Sequence, residues 1–252
     1  MVSDPILGAI TQISEQDQRG AVATVIVGDG EGSKAVLDGS GSIIAGSMPT
    51  PLDDSVRRDA LALMAREQSA ALGYGDIEVF YEVLAPRPRL FVFGAVHIAQ
   101  ELVQHAGLLG FRTIVADPRP AFVTEERFPD ADERRVGWPG EVCDLGSFDE
   151  RTFVVVLTHD RRFEDPLWPI VLPSPARYLG AMGSAKTTEA RRRRLLEAGF
   201  TAEQVDRIHG PIGLDIGSRT AGETAIAILA EMITDRYLHD EPADLVGHAL
   251  RA

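Results

Sequence analysis

The chain has 252 residues, 44 % of them hydrophobic, enough for one large domain or two smaller ones, each with its own core. Its 38 acidic residues outnumber 25 basic ones, a formal net charge of −13, which speaks against nucleic acid as a partner because a phosphate backbone demands a basic surface. One cysteine, Cys143, excludes an internal disulfide, and six histidines without HExxH-type spacing leave no expectation of a protein-ligated metal.

In chain order, a first helix precedes alternating, strand-like runs over 21–27, 35–37 and 42–45, separated by glycine-rich turns. A helix is predicted from Pro51 or Asp53 to about Leu72, with Asp53 or Asp54 as its cap. An apolar strand over 77–84 closes this part. The APRP string at 85–88 then breaks every regular pattern, because each proline removes a donor and restrains the residue before it. A small α+β domain is therefore expected over 1–85. From there the expected order is a strand over 90–93, a helix over 98–109, strands over 112–116, 153–157 and 177–180, a helix over 187–198 and a long apolar helix from Ala221 to about Leu238. That alternation predicts an α/β domain over 86–240, a Rossmann-like doubly wound parallel sheet. The four arginines 191–194 fall in a helical pattern, where consecutive residues spread around the circumference, so they read as a solvated face. The polar tail over 241–252, acidic from His239 on, lacks a clear buried face and is expected to be loosely ordered. No run of about 18 apolar residues and no basic, apolar leader occurs, which predicts a cytoplasmic protein without a membrane span.

The strand over 90–93 runs into Gly94-Ala95-Val96-His97, where a dinucleotide-binding loop would lie, and the next strand ends at Asp117. This is a degenerate fingerprint, because Val96 stands where a second glycine normally lets backbone touch a pyrophosphate. NAD(P) is disfavoured on that ground. Asp117 is placed to hold a ribose hydroxyl or to make a turn before Pro118, and Arg119 to meet a phosphate. His97 reads more readily as a helix-start residue than as a base. Thr158 and His159 follow one strand and Gly183 and Ser184 another, so all should gather with Gly94 and Asp117 at the carboxyl edge of the sheet. His159 and Asp160 are adjacent on extended chain, which predicts no direct dyad. Cys143 has acidic neighbours and reads as an unreactive structural thiol.

The densest signal is PIGLDIGSRT at 211–220. Gly213 and Gly217 permit a sharp turn or close backbone approach, Thr220 and Glu223 form a capping box for the helix that follows, and that helix start favours an anion. Asp215 has two readings of equal standing: a contact to the N–H groups of a pterin or purine ring, or a brace for its own loop.

The strings FVFGAVHIA (91–99), LGFRTIVADPRPAFVTEERFPDAD (109–132), VVVLTHD (154–160), YLGAMGS (178–184) and PIGLDIGSRTAGETAIAILAE (211–231) resemble the XdhC/CoxI family almost continuously. The resemblance implies a Rossmann-like domain joined to a smaller one, binding of the molybdenum cofactor (molybdopterin), and delivery of it to a xanthine-dehydrogenase-like or CO-dehydrogenase-like apoenzyme. It implies a chaperone more than a catalyst, acting alone, as a homodimer or in a hetero-oligomer with a related accessory protein; an NAD(P)-dependent oxidoreductase is the alternative. The amino-terminal part departs from the family. Residues 28–34 lack its Pro-Arg pair, and Leu52 stands about where a GGC-x-E motif carries cysteine, with only Asp54 echoing the glutamate.

Overall fold

The computed structural model describes residues 4–49, 52–237 and 245–249. Its elements begin with α1 (Pro5–Glu15), β1 (Gly20–Val27), β2 (Lys34–Asp38), β3 (Ile43–Gly46), α2 (Asp53–Ala65), β4 (Ala70–Tyr74) and β5 (Ile77–Leu84). They continue with β6 (Arg89–Phe93), α3 (His97–Leu108), β7 (Arg112–Asp117), β8 (Glu133–Val136), α4 (Pro139–Val142), β9 (Thr152–Val156), α5 (Arg161–Glu164) and α6 (Trp168–Val171). Last come β10 (Tyr178–Ala181), α7 (Ala185–Glu197), α8 (Ala202–Asp206), β11 (Ile208–His209), α9 (Ala221–Tyr237) and β12 (His248–Ala249). One compact unit holds the described residues up to Pro86 together with 245–249, and a second holds 87–237. The break falls inside the APRP string.

The first unit is an antiparallel sheet of order β12-β4-β5-β1-β2-β3. Side chains on a strand alternate between faces, and β1 uses both: Ala21, Ala23 and Val25 pack with Val56, Ala60, Leu63 and Met64 of α2, while Val22 packs with Ala9 and Ile13 of α1. Two expectations change here. The helix expected to reach Leu72 ends at Ala65, Glu67 takes a positive φ of 51°, and 70–74 pairs with β5 as a strand. Leu72 is wholly buried there, so tertiary pairing overrides its helical spacing. The tail differs as well, since His248 and Ala249 pair with β4 at the sheet edge. Asp59, fully buried on α2, accepts the N–H groups of Val246 and Gly247 at 2.6 and 2.8 Å. The rest of the expected tail lies outside the described residues.

In the second unit every strand pair is parallel and the order is β11-β10-β9-β6-β7-β8. Chain direction across the sheet reverses between β6 and β9, which opens a crevice at the carboxyl ends of those two strands. Helices α3 and α9 cover one face over Leu90, Val92, Val115 and Phe153; the other face buries Phe91, Phe93, Val154 and Val156 beneath Phe163, Trp168 and Leu195. Burial on both faces explains why β9 is an unbroken apolar run. Sequence reading passed over β8 and β11, which are short, polar edge strands.

The arginine run corrects the reading of a solvated face. Arg191 is 2 % exposed and ion-paired to Glu164 at 2.6 Å, Arg194 reaches the same carboxylate at 3.1 Å, and Arg192 pairs with Asp206 at 2.8 Å. Arg191 and Arg194, three residues apart, share one helix face and one carboxylate, whereas Arg192 points about 100° away to another partner.

Candidate functional site

Parallel register brings Phe93 level with Ala116 on one side and Val156 on the other, so Gly94, Asp117 and Thr158 emerge together at the carboxyl edge. Gly94 has φ of 108°, and a Cβ there would lie 3.1 Å from Thr158 N and 3.2 Å from Leu157 C. Only glycine suits both constraints. Asp117 is 1 % exposed. Its Oδ2 accepts Ala95 N–H at 2.9 Å and Arg119 Nη2 at 2.8 Å, and its Oδ1 accepts Arg119 N–H at 3.0 Å and Arg119 Nε at 2.8 Å. Burial raises this carboxyl's pKa, but the bonds from Arg119 and Ala95 outweigh it and hold the group below the usual Asp value. With four acceptor positions taken by the chain itself, a ribose contact requires Arg119 to swing away; as it stands, Asp117 braces the glycine turn.

Val96 is half-buried against the α3/α9 core and is the N-cap of α3, with no side-chain capping bond. His97 Nδ1 bonds Gln100 Oε1 at 3.1 Å, the helix-start role. The α3 start at the carboxyl edge thus has no side-chain cap, although Ala99 N–H already donates to Val96 O at 3.0 Å.

A cavity of about 250 Å³ opens beside Asp117, lined by Arg119, Trp138, Thr158, Asp160, Arg162 and Phe163. Trp138 and Phe163 meet edge to face with centroids 6.1 Å apart, and the guanidinium of Arg119 stacks 4.1 Å above the Phe122 ring. Aromatic walls with two guanidinium–carboxylate pairs suit a flat ligand whose edge both donates and accepts hydrogen bonds. Thr158 Oγ1 accepts Asp160 N–H at 3.0 Å, and Asp160 caps α5 and pairs with Arg162 at 2.8 Å. The bonds of Asp160 therefore run to Arg162 and not to His159, as adjacency on an extended chain implied. His159 lines a separate, larger cavity with Lys186 and Thr187. Ser184 caps α7 by accepting Thr187 N–H at 3.2 Å, and Gly183 closes against Thr187 with φ of 150°.

The 211–217 loop follows β11 and leans on α9. Gly213 has φ of 92°, a Cβ there would lie 3.1 Å from Ile228 N, and its N–H donates to Glu231 Oε2 at 2.8 Å. Glu231 also accepts from Tyr178 Oη and lies 3.5 Å from His209 Nδ1. The hydrogen bond to Glu231 is the main cause raising the His209 pKa; burial raises that of Glu231, yet its bonds from His209, Tyr178 and Gly213 bring it below the usual Glu value. The capping box is present: Glu223 accepts Thr220 N–H at 2.9 Å and Thr220 Oγ1 accepts Glu223 N–H at 3.2 Å. Asp215 is exposed and accepts no hydrogen bond among the described residues, so it does not brace its loop in this conformation. Gly217, with φ of 75°, has open space around it. The loop does not line the 250 Å³ cavity.

Cys143 is buried, donates to Pro139 O at 3.1 Å, and its thiol is pushed up to about 11, chiefly by burial. Leu52, near the position of the family's cysteine, is 6 % exposed in the α2 core. Sequence reasoning missed Trp138, Arg162, Phe163 and Lys186 as site residues, because nothing local marks them. Glu231 had a signal: a carboxylate on an otherwise apolar helix needs a partner.

Strand order, an obligatory glycine at the first β-to-α turn and a carboxylate at the end of the second strand define a Rossmann-type ligand-binding domain. The chain belongs to the XdhC Rossmann domain family, whose profile matches residues 90–232. It is 33 % identical to the uncharacterized protein YqeB of Escherichia coli K12 (74 % of this chain, 36 % of that one). It is 31 % identical to a probable subunit of xanthine dehydrogenase from Bacillus subtilis 168 (63 % and 46 %), and 28 % identical to the molybdenum cofactor insertion chaperone PaoD of Escherichia coli K12 (62 % and 42 %). The chain thus spans less than half the length of these curated relatives. A crystal structure of a xanthine dehydrogenase from Bacillus halodurans shares the fold, with a TM-score of 0.57 at 19 % identity over 93 % of this chain and 96 % of that one. No helix among the described residues is long and apolar enough to cross a membrane.

Proposed function

We propose that this chain is an accessory protein that binds the molybdenum cofactor and hands it to a xanthine-dehydrogenase-like or CO-dehydrogenase-like apoenzyme. The carrying observation is the cavity between Asp117 and Phe163, whose aromatic walls and two guanidinium–aspartate pairs suit a pterin ring with donors and acceptors on its edge. Its volume of about 250 Å³ suits a ring system better than a whole dinucleotide. In this reading Trp138 and Phe163 border the ring, Arg119 and Arg162 flank it with their aspartate partners, and Gly94 and Ala95 shape the turn that Asp117 braces beside it. His97 sets the start of α3. Asp215 stands on an exposed loop outside this cavity, shaped by Gly213 and Gly217, and meets ring N–H groups only once that loop moves over the cargo. The metal travels on the cofactor's own sulfur atoms; the protein supplies orientation and exclusion of water. The alternative, an NAD(P)-dependent oxidoreductase, draws no support from Asp117, whose acceptor positions are filled.

Purified protein, exposed to molybdenum cofactor and desalted, is expected to retain molybdenum and fluorescent pterin in equal amounts, and to activate a molybdenum hydroxylase apoenzyme. Absence of pterin together with tight NAD(P)H binding would overturn the proposal.

A further inference from the structure

The larger cavity at the same edge has a different chemistry. It encloses about 450 Å³ between α5 and α7, and Arg161, Lys186, Arg191 and Arg194 line it against one carboxylate, Glu164. Asp165, outside the lining, pairs with Arg161 at 3.6 Å and Arg194 at 2.9 Å; four cations against two carboxylates still leave a local field opposite to that of a chain of net charge −13. The lining carboxylate is already engaged. Glu164 Oε1 accepts Arg191 Nε at 2.6 Å, Arg194 Nη2 at 3.1 Å and Trp168 Nε1 at 3.1 Å, and Oε2 accepts Arg191 Nη2 at 3.3 Å. Arg191 Nη2 also donates to Met182 O at 2.8 Å.

What remains is Arg191 Nη1. It is screened from solvent on a side chain 2 % exposed, and it has no hydrogen-bond partner. A buried guanidinium nitrogen without an acceptor is costly, and Arg194 Nε of the same lining shares that state, so an anion entering beside them would offset an uncompensated charge. Lys186 makes no ion pair among the described residues, although it stands in the first turn of α7, where the helix dipole is also positive. We propose that this cavity seats a phosphate or diphosphate group, with Lys186 and Arg161 as its donors and the buried charge of Arg191 behind them.

The chain between the two cavities supports their joint use. Along 158–162, Thr158, Asp160 and Arg162 line the smaller cavity while His159 and Arg161 line the larger. One segment thus partitions a ring-sized compartment from an anion seat. The seat stands on this geometry alone; its assignment to the phosphate arm of a pterin cargo rests on the function proposed above.

Calorimetric titration with sodium pyrophosphate at low ionic strength tests the seat. Pyrophosphate is expected to bind, to weaken as salt rises, and to lose at least tenfold in affinity in the double variant Lys186→Gln/Arg161→Gln. Both side chains are exposed, so the melting temperature of the ligand-free variant should not move. A parallel titration compares the oxidised phosphopterin released from the cofactor with its dephosphorylated form. Preference for the phosphorylated pterin, abolished by the double variant, supports both the seat and its cargo. Pyrophosphate binding that the variant abolishes, without pterin preference, keeps the seat and rejects the cargo assignment. No pyrophosphate binding beyond that of chloride at matched ionic strength, or undiminished affinity in the variant, overturns the seat.

Discussion

Glu164→Gln is the substitution that probes the arginine run most directly. Glu164 is 5 % exposed and Arg191 2 % exposed as side chains, so removing the carboxylate charge strands a cation in the interior while its hydrogen-bonded shape is roughly kept. Breaking a buried pair from one side costs about 3–5 kcal/mol. Arg194 adds little, since it is 23 % exposed and keeps Asp165 at 2.9 Å. For a chain of this size each kcal/mol moves the melting temperature by about 2–4 °C, so a fall of roughly 6–20 °C is expected. The double substitution Glu164→Leu/Arg191→Met should recover part of it, because apolar groups of similar volume dispense with the desolvation of both charges while Trp168 Nε1 still loses its acceptor. Thermal melts followed by circular dichroism, with denaturant titrations to obtain free energies, are the assay. A loss below about 1 kcal/mol for Glu164→Gln, the range of an exposed pair, would refute the claim that Arg191 is a buried structural cation.

Asp215→Asn should leave the melting temperature almost unchanged, as for a surface change within about 0.5 kcal/mol, while weakening cofactor binding by about 1.5–3 kcal/mol; a large melting loss with intact affinity would make Asp215 a loop brace. Cys143→Ser should activate the client enzyme normally, and iodoacetamide should label the wild-type thiol slowly at pH 8 because its pKa lies near 11. Loss of activation in a folded variant would contradict this. Nicotinamide dinucleotides should bind weakly and Val96→Gly should improve them, at some cost in stability from lost core packing; tight calorimetric binding by the unmodified protein would contradict that expectation. The depressed pKa of Asp117 means its stabilising contribution is complete above the ordinary Asp pKa of about 3.9 and fades as pH falls through the lower folded value. Asp117→Asn should remove that acid-side dependence, and melts between pH 7 and 3 giving identical profiles for both proteins would contradict it.

Much of the scaffold was legible in one dimension. Unbroken apolar runs at β6 and β9, Gly94 after the first, Asp117 ending the next strand, and the Thr220–Glu223 cap are local signals, because backbone conformation and helix capping are decided within a few residues. Periodicity failed where long-range pairing decides: Leu72 belongs to a strand only because β5 lies beside it, and β8 and β11 exist only as additions to a finished sheet. The sequence by itself determined the family, the break near residue 86 and the residues that gather at the carboxyl edge of the parallel sheet. Tertiary structure alone decided what each charge does there. Asp117 turns inward to its own turn, Asp215 stays free, Glu231 fastens the glycine loop, and Arg191 is buried with one nitrogen unsatisfied. A charge's role depends on the groups within a few ångströms of it and on the water excluded between them, and those neighbours come from strands and helices far apart in the chain.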